Sequence, residues 1–345
     1  MKVAVLTGGG DCPGLNAVIR AIVRRASHHR FDVVGLRDGW RGLLEDDHFP
    51  LTRETTSGIL HRGGTILGTS RINPFKVEDG LEKVLRTMER HRIEAVIAIG
   101  GEGTLGAATK MSEHGLQVVA IPKTIDNDLS GTDFTFGFDT AVSIATEAVD
   151  RLHSTAEAHK RVIVCEVMGR HAGWIATYAG IAGGADVILV PEHPADLEKV
   201  ARHLENRHAT GRRFSIVVVA EGTKVKTTAE ETERIVTSGA LDEAGRLRLG
   251  GVGAYVAQEI ERRTGFETRV SVLGHIQRGG TPTAHDRVLA TRYGVHACDM
   301  VAKGEFGRMA ALRGNRIVSV PLADATRELK RVDKEFFEVA EVFFG

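Results

Sequence analysis

Between Ala95 and Asp128 the chain reads AVIAIGGEGTLGAATKMSEHGLQVVAIPKTIDND, and no other stretch limits the fold as much. Residues 95–99 are a short apolar run ending at Gly100-Gly101, the pattern of a buried strand in an α/β sheet. Leu105, Ala108 and Met111 give the following segment one apolar face, so a helix is expected there, with Gly115 placed to stop it. A second strand, Gln117 to Ile121, closes at Pro122, whose missing N–H fixes where the chain leaves the sheet. Ligands of open parallel sheets sit beyond the carboxyl ends of the strands, where both GGEGT (100–104) and KTIDND (123–128) fall, so the two loops should face one crevice. The glycines let backbone N–H groups and a helix N-terminus approach an anion, while Glu102, Asp126 and Asp128 offer oxygen ligands or bases. Phosphate beside carboxylates implies Mg²⁺.

Two other readings compete. Gly101, Gly103 and Gly106 match the spacing of a dinucleotide fingerprint, but the acid expected at the end of the next strand is missing, since that strand ends Ile121-Pro122-Lys123. Tight turns and solvated acids would also account for either loop taken alone. They account less well for three acids and two glycine clusters that converge.

The rest of the chain repeats the theme. Lys2 to Leu6 feeds into TGGGDCPG (7–14) and a helix from about Leu15; this turn lacks the Lys-Ser/Thr of a Walker A loop, so backbone groups and arginines from elsewhere must hold any phosphate. Cys12 in that turn reads as a small packed side chain or as a reactive thiol. Asp32 to Leu36 is a further strand, Gly39 to Asp47 reads as loop, and Arg62 to Arg71 is rich in glycine and hydroxyls, as suits a loop closing over a polyanion or a plain surface turn. Helices are expected at 78–91, 139–158, 174–181, 252–264, 282–303 and 335–344, and strands from Arg161, at 185–190, 214–220, 269–273 and 316–320. Residues 223–249 have weak periodicity and read as a surface excursion with one short helix near Thr228–Val236, carrying no chemistry. Such alternation makes a parallel-sheet α/β protein.

Composition narrows the partners. Forty-five basic and 45 acidic residues give a formal net charge of zero, so there is no whole-protein case for nucleic acid or an anionic membrane. No segment offers roughly 20 unbroken apolar residues, and the opening Met-Lys-Val-Ala-Val-Leu is too short for a signal sequence. Three cysteines, Cys12, Cys165 and Cys298, lack metal spacing and cannot pair evenly, which points to a reducing, cytoplasmic setting. A length of 345 residues suits about two domains.

Six ordered segments, TGGGDCPGLNA (7–17), GGTILGTSR (63–71), GGEGT (100–104), PKTIDND (122–128), VMGRHAGW (167–174) and VLGHIQRGGTP (272–282), closely resemble the bacterial-type 6-phosphofructokinases. The resemblance runs from Lys2 to the C-terminal helix and is greatest to an actinobacterial subgroup. It implies two similar Rossmann-like three-layer α/β domains with mainly parallel sheets and the active site in the cleft between them. Both would be discontinuous: 1–138 with 251–303 for the phosphoryl donor, and 139–250 with 304–345 for the sugar phosphate. The implied reaction moves a phosphoryl group from MgATP to the C1 hydroxyl of fructose 6-phosphate, a step of glycolysis.

Roles follow by position. Asp126 resembles the catalytic base, with Asp128 beside it, Thr124 on the substrate or transferred phosphate, and Glu102 as the Mg²⁺ ligand. Gly10, Arg71, Ile72, Glu102, Gly103, Thr104 and Leu105 match donor contacts, and Arg71 and Arg170 would stabilise the transferring group. Thr124, Ile125, Asp126, Met168, Gly169, Arg170, Glu221, His275 and Arg278 match contacts to the sugar phosphate within one subunit. Arg161 and Arg269 match arginines that reach in from a neighbouring subunit, so the resemblance implies a homo-oligomer, dimer or tetramer, with shared sites. In some members an effector phosphate is held by arginines that match Arg20, Arg24 and Arg53; His153 stands where a further arginine is common.

Two positions disagree about the donor. Glycine at 103 accompanies ATP in the family, because a carboxylate there would crowd and repel the α-phosphate. Lys123 resembles the lysine that pyrophosphate users set against the transferring phosphate. A missing side chain opens the nucleotide path, whereas a lysine fits beside either donor, so ATP is expected and pyrophosphate is the alternative. GGEGT also resembles the loop of NAD kinases and lipid kinases, which leaves another acceptor open.

Overall fold

The computed structural model describes residues 1–226, 233–235, 237–241, 247–342 and 344. The chain forms two compact units, residues 1–140 with 278–329 and residues 141–277 with 330–345.

The first part of the chain runs β1 (Lys2–Thr7), α1 (Leu15–His29), β2 (Asp32–Leu36), α2 (Arg41–Leu44), β3 (His48–Pro50), α3 (Gly80–His91), β4 (Ala95–Gly100), α4 (Glu102–Glu113) and β5 (Val118–Pro122). The helix α5 (Phe138–His159) leads to β6 (Val162–Val167), α6 (Trp174–Ala182), β7 (Val187–Leu189), α7 (Leu197–Ala209) and β8 (Ser215–Ala220). After β9 (Lys224–Lys226), β10 (Glu233–Ile235), β11 (Thr237–Leu241) and β12 (Leu247–Leu249) come α8 (Val252–Thr264) and β13 (Thr268–Val272). The chain closes with α9 (Ala284–Ala302), β14 (Arg308–Arg313), β15 (Arg316–Pro321), α10 (Leu322–Arg327) and α11 (Lys334–Glu341).

The first unit holds a seven-stranded sheet in the order β15-β14-β5-β4-β1-β2-β3. Its five inner strands run parallel, and the edges β15 and β3 run antiparallel to their neighbours. Side chains alternate across such a sheet. Ala4, Leu6, Val96, Ala98, Val118 and Ala120 build one core with Val84 and Met88 of α3 and Leu105, Ala108 and Met111 of α4. Their strand neighbours Val3, Val5, Ile97, Ile99, Val119 and Ile121 are equally buried but lie outside that core, and the paired helices α1 and α9 accompany the sheet there. Both faces being covered explains why these strands are unbroken apolar runs.

The second unit has a four-stranded, all-parallel sheet in the order β13-β6-β8-β7. Val162, Val164, Val217 and Val219 pack there against Val200 and Leu204 of α7 and Val252, Val256 and Ile260 of α8.

Both units are thus α/β with parallel cores, as expected, though they differ in strand number. The chain crossing expected near 251 lies at 277/278, because β13 pairs with β6 and keeps 251–277 in the second unit. Residues 304–329 belong to the first unit rather than the second, because β14 joins β5 and β15 joins β14. The expected loop 39–47 contains the short helix α2. Part of the helix expected near Thr228–Val236 lies outside the described residues; its described part, Glu233–Ile235, is a strand paired with Lys224–Lys226.

Candidate active site

Three loops of the first unit meet at the carboxyl ends of adjacent parallel strands, because β5, β4 and β1 are consecutive in the sheet. They are residues 8–14 after β1, 100–104 after β4 and 123–128 after β5. Gly8 N–H bonds the Ile99 carbonyl at 2.9 Å, and Lys123 N–H bonds the Gly100 carbonyl at 2.9 Å, which ties the three strand ends together. Thr104 sits between two of the glycines. A Cβ on Gly8 would come within 2.5 Å of Thr104 Oγ1, and one on Gly100 within 2.4 Å of Thr104 Cβ, so glycine is required on both sides.

The loop 62–71 docks onto this frame. Gly9 N–H bonds Ser70 O at 2.9 Å, Thr69 Oγ1 donates to Gly9 O at 2.6 Å, and Thr7 Oγ1 donates to Gly68 O at 2.7 Å. Asn16, buried on α1, donates to Arg62 O and Gly63 O and accepts from Ile66 N–H at 2.9 Å. Arg71 follows at the end of the loop and is exposed, and Ile72 is half-buried.

Lys123 is buried, and its Nζ donates to the Gly10 carbonyl. Burial pushes its pKa down, against the pull of Cys12, Asp11 and Asp126. Arg278 belongs to this unit as well, and its Nη1 lies 3.4 Å from Asp11 O. Arg278, expected to contact the sugar phosphate, lies beside the glycine loop after β1. Cys12 is wholly buried, its thiol pushed up to about 12 by burial, so it packs rather than reacts.

In the loop after β5, Thr124 and Asp126 are half-buried and Ile125 is wholly buried. Asp126 N–H bonds Thr124 Oγ1 at 3.1 Å. Thr135 braces the loop: its Oγ1 donates to Thr124 O at 2.7 Å and its N–H to Asn127 Oδ1 at 3.1 Å. Asp128 is half-buried, and Glu102 is exposed as the first residue of α4. Gly103 is exposed beside it, while Thr104 and Leu105 are buried. Leu105 lies in the core and its N–H bonds Gly101 O at 3.0 Å, so its part is to seat α4 rather than to meet a donor with its side chain.

In the second unit the loops after β6 and β8 lie side by side, since Val167 pairs with Ala220. Gly222 N–H bonds Gly169 O at 3.0 Å, which sets Met168, Gly169 and Arg170 beside Glu221. A Cβ on Gly222 would come within 2.0 Å of Arg170 O. His275 is exposed on the turn 274–278. Arg161 and Arg269 share one carboxylate, Glu267, at 3.2 and 2.7 Å. His153 Nε2 lies 2.6 Å from Gly183 O and its ring meets Phe214 edge-on, which holds it within the unit.

Asn16 carries two signals in the sequence, its place in the segment 7–17 and a lone amide on an otherwise apolar helix face, whereas nothing in the sequence marks Thr135.

The family described as Phosphofructokinase matches residues 2–301. A pyrophosphate–fructose 6-phosphate 1-phosphotransferase of Amycolatopsis methanolica is 58% identical over 100% of both chains. An ATP-dependent 6-phosphofructokinase of Mycobacterium bovis is 53% identical, again over 100% of both chains. Among solved structures, phosphofructokinase from Saccharomyces cerevisiae superposes with a TM-score of 0.81 at 32% identity, covering 99% of this chain and 50% of that one. With its glycine loops and carboxylates at the ends of adjacent parallel strands, and with relatives matched along its whole length, this chain belongs to the phosphofructokinase family.

Proposed function

We propose that the protein transfers the γ-phosphoryl group of ATP to the C1 hydroxyl of fructose 6-phosphate, giving fructose 1,6-bisphosphate and ADP in glycolysis. The observation that carries this reading is the placement of Asp126 on a braced strand-end loop next to two glycine loops built for phosphate. Asp126 takes the hydroxyl proton as the oxygen attacks. Thr124 and Asp128 flank it, and Arg71 and Arg170 offset the charge on the transferring group, whose loose transition state responds mainly to positioning and electrostatics. Lys123 shapes the Gly10 loop from beneath. Gly10, Ile72, Gly103 and Thr104 line the donor's path, and Met168, Gly169, Glu221 and His275 present groups to the sugar phosphate.

Glu102 offers oxygen donors at an exposed helix start, one strand away from Asp126 and Asp128, a donor set that suits Mg²⁺. Held by Glu102, with Asp126 and Asp128 nearby, such an ion would supply positive charge against the donor phosphates.

Arg161 and Arg269 lie on and beside β13, an edge strand whose Val270 and Val272 are 40% and 57% exposed, with Ile276 just beyond at 61%. An apolar edge with two arginines gathered on one surface carboxylate supports a homo-oligomer, dimer or tetramer, in which these arginines reach a neighbour's sugar-phosphate site. Among the described residues no helix is long and apolar enough to cross a membrane, and the three cysteines are free and buried, in keeping with work in the cytoplasm.

Pyrophosphate as donor is the second reading, favoured by the name of the 58% identical relative. Lys123 does not decide between them, because its bond to the Gly10 carbonyl serves either donor. Gly103 favours ATP. Steady-state rates with MgATP and with magnesium pyrophosphate, on the wild type and on Gly103→Asp, test the reading. Faster turnover with MgATP that falls selectively in the variant is expected. A wild type that prefers pyrophosphate would overturn the donor assignment, and inactivity toward fructose 6-phosphate with both donors would overturn the acceptor.

A further inference from the structure

Away from the phosphate loops, the first unit gathers Asp46, His48 and His91 from three elements. Asp46 lies in the turn after α2, His48 opens the edge strand β3, and His91 is the last residue of α3. One ligand atom from each residue falls in a group whose members all lie within 4.8 Å of one another. His91 Nε2 is 2.6 Å and His48 Nδ1 is 3.6 Å from Asp46 Oδ1. All three atoms are shut off from solvent, and none has a hydrogen-bond partner of acceptable direction. Two imidazole nitrogens stand at ion-pair distance from one buried carboxylate oxygen, none of the three in a well-directed hydrogen bond, and together they form the donor set of a metal site.

The surroundings fit this. Arg90 Nη1 holds the other carboxylate oxygen, Asp46 Oδ2, at 2.7 Å, as outer partners commonly orient a ligating carboxylate. The imidazole rings lie edge to face with centroids 4.2 Å apart, which turns different ring edges toward the shared oxygen. His91 stands at the carboxyl end of its helix, where the backbone dipole favours a cation.

We propose that Asp46, His48 and His91 form a binding site for a divalent transition-metal ion of the zinc class. The nitrogen-rich set disfavours Mg²⁺ and Ca²⁺, which take oxygen ligands, and so separates this site from the one at Glu102. Three protein ligands leave a position for water. The ion would join the edge strand β3 to the end of α3, between which no backbone hydrogen bond runs among the described residues.

The full-length protein, stripped of metal and returned to buffer with excess Mg²⁺, is titrated with Zn²⁺ against a chromophoric chelator. One equivalent per chain is expected, and the wild type loaded with Co²⁺ should show the visible bands of nitrogen and oxygen ligation without thiolate charge transfer. Asp46→Asn, His48→Gln and His91→Gln should each weaken Zn²⁺ by more than the roughly 10–100-fold typical of losing an outer partner. Absence of stoichiometric Zn²⁺ binding by the wild type, a thiolate spectrum, or undiminished affinity in the two histidine variants would overturn the proposal and leave a polar cluster only. The spectrum of the wild type decides the matter even where a variant fails to fold.

Discussion

Lys123 donates from its ammonium to the carbonyl oxygen of Gly10, so the end of β5 holds up the glycine loop that follows β1. The arrangement has a measurable signature in pH. Burial, the largest influence, sets the lysine below its ordinary 10.5. Between that lowered value and about 10.5 the folded chain binds fewer protons here than the unfolded chain, so stability rises with pH across the window. In Lys123→Met the rise disappears. Urea unfolding from neutral pH to about 10.5 should show the stability difference moving in the wild type's favour as pH increases; a constant difference counts against a perturbed ammonium.

Asp126→Ser should lower kcat by about 10²–10⁴-fold, the usual worth of a positioned base. Fructose 6-phosphate affinity should barely move, because the Thr124 carbonyl stays fixed by Thr135. Calorimetric binding measured beside turnover separates the two effects. Near-normal turnover would remove Asp126 from the base role.

Gly222→Ala must push a methyl group into the Arg170 carbonyl, 2.0 Å away, and backbone atoms cannot swing aside as a side chain does. A destabilisation of about 1–3 kcal/mol is expected. The KM for the sugar phosphate should rise more than that for the donor, since the strain falls on Arg170 and Glu221. Equal changes in both constants would show a general loss of folding instead.

Arg161 and Arg269 share Glu267, a 44% exposed carboxylate whose hold on them is weak in water. An incoming phosphate can therefore recruit both. Mixing Asp126→Ser with Arg161→Ala, each inactive alone, should restore part of the activity when subunits exchange. Without recovery after demonstrated exchange, Arg161 serves its own chain.

The sequence exposed β1, β4, β5, β6 and β8 because burial on both faces makes them continuous apolar runs, and their glycine and proline ends marked where the loops begin. It did not expose β14, whose apolar run Met309–Leu312 is only four residues between two arginines and whose place is defined by partners far along the chain. The misplaced crossing at 251 has the same cause: β13 belongs where β6 is, and no local signal says so. In the site, the carboxylates and glycines were legible as residue types. Their supports were not: Asn16 acts on residues 62–66 and Lys123 on Gly10, contacts that only the folded sheet creates.

The first unit's sheet is interrupted by residues 141–277 of the second unit, because β14, which covers the outer edge of β5, begins only at Arg308. During synthesis, at about 5–20 residues per second, the β5 edge waits on the order of ten to forty seconds for its partner. Throughout that interval a row of backbone donors and acceptors flanked by Val118, Val119 and Ile121 is open to pairing with any other nascent strand. The ribosome thus presents this protein with its aggregation risk at a definite chain length, and slowing translation after Pro122 should lower the soluble yield more than slowing it after Pro321.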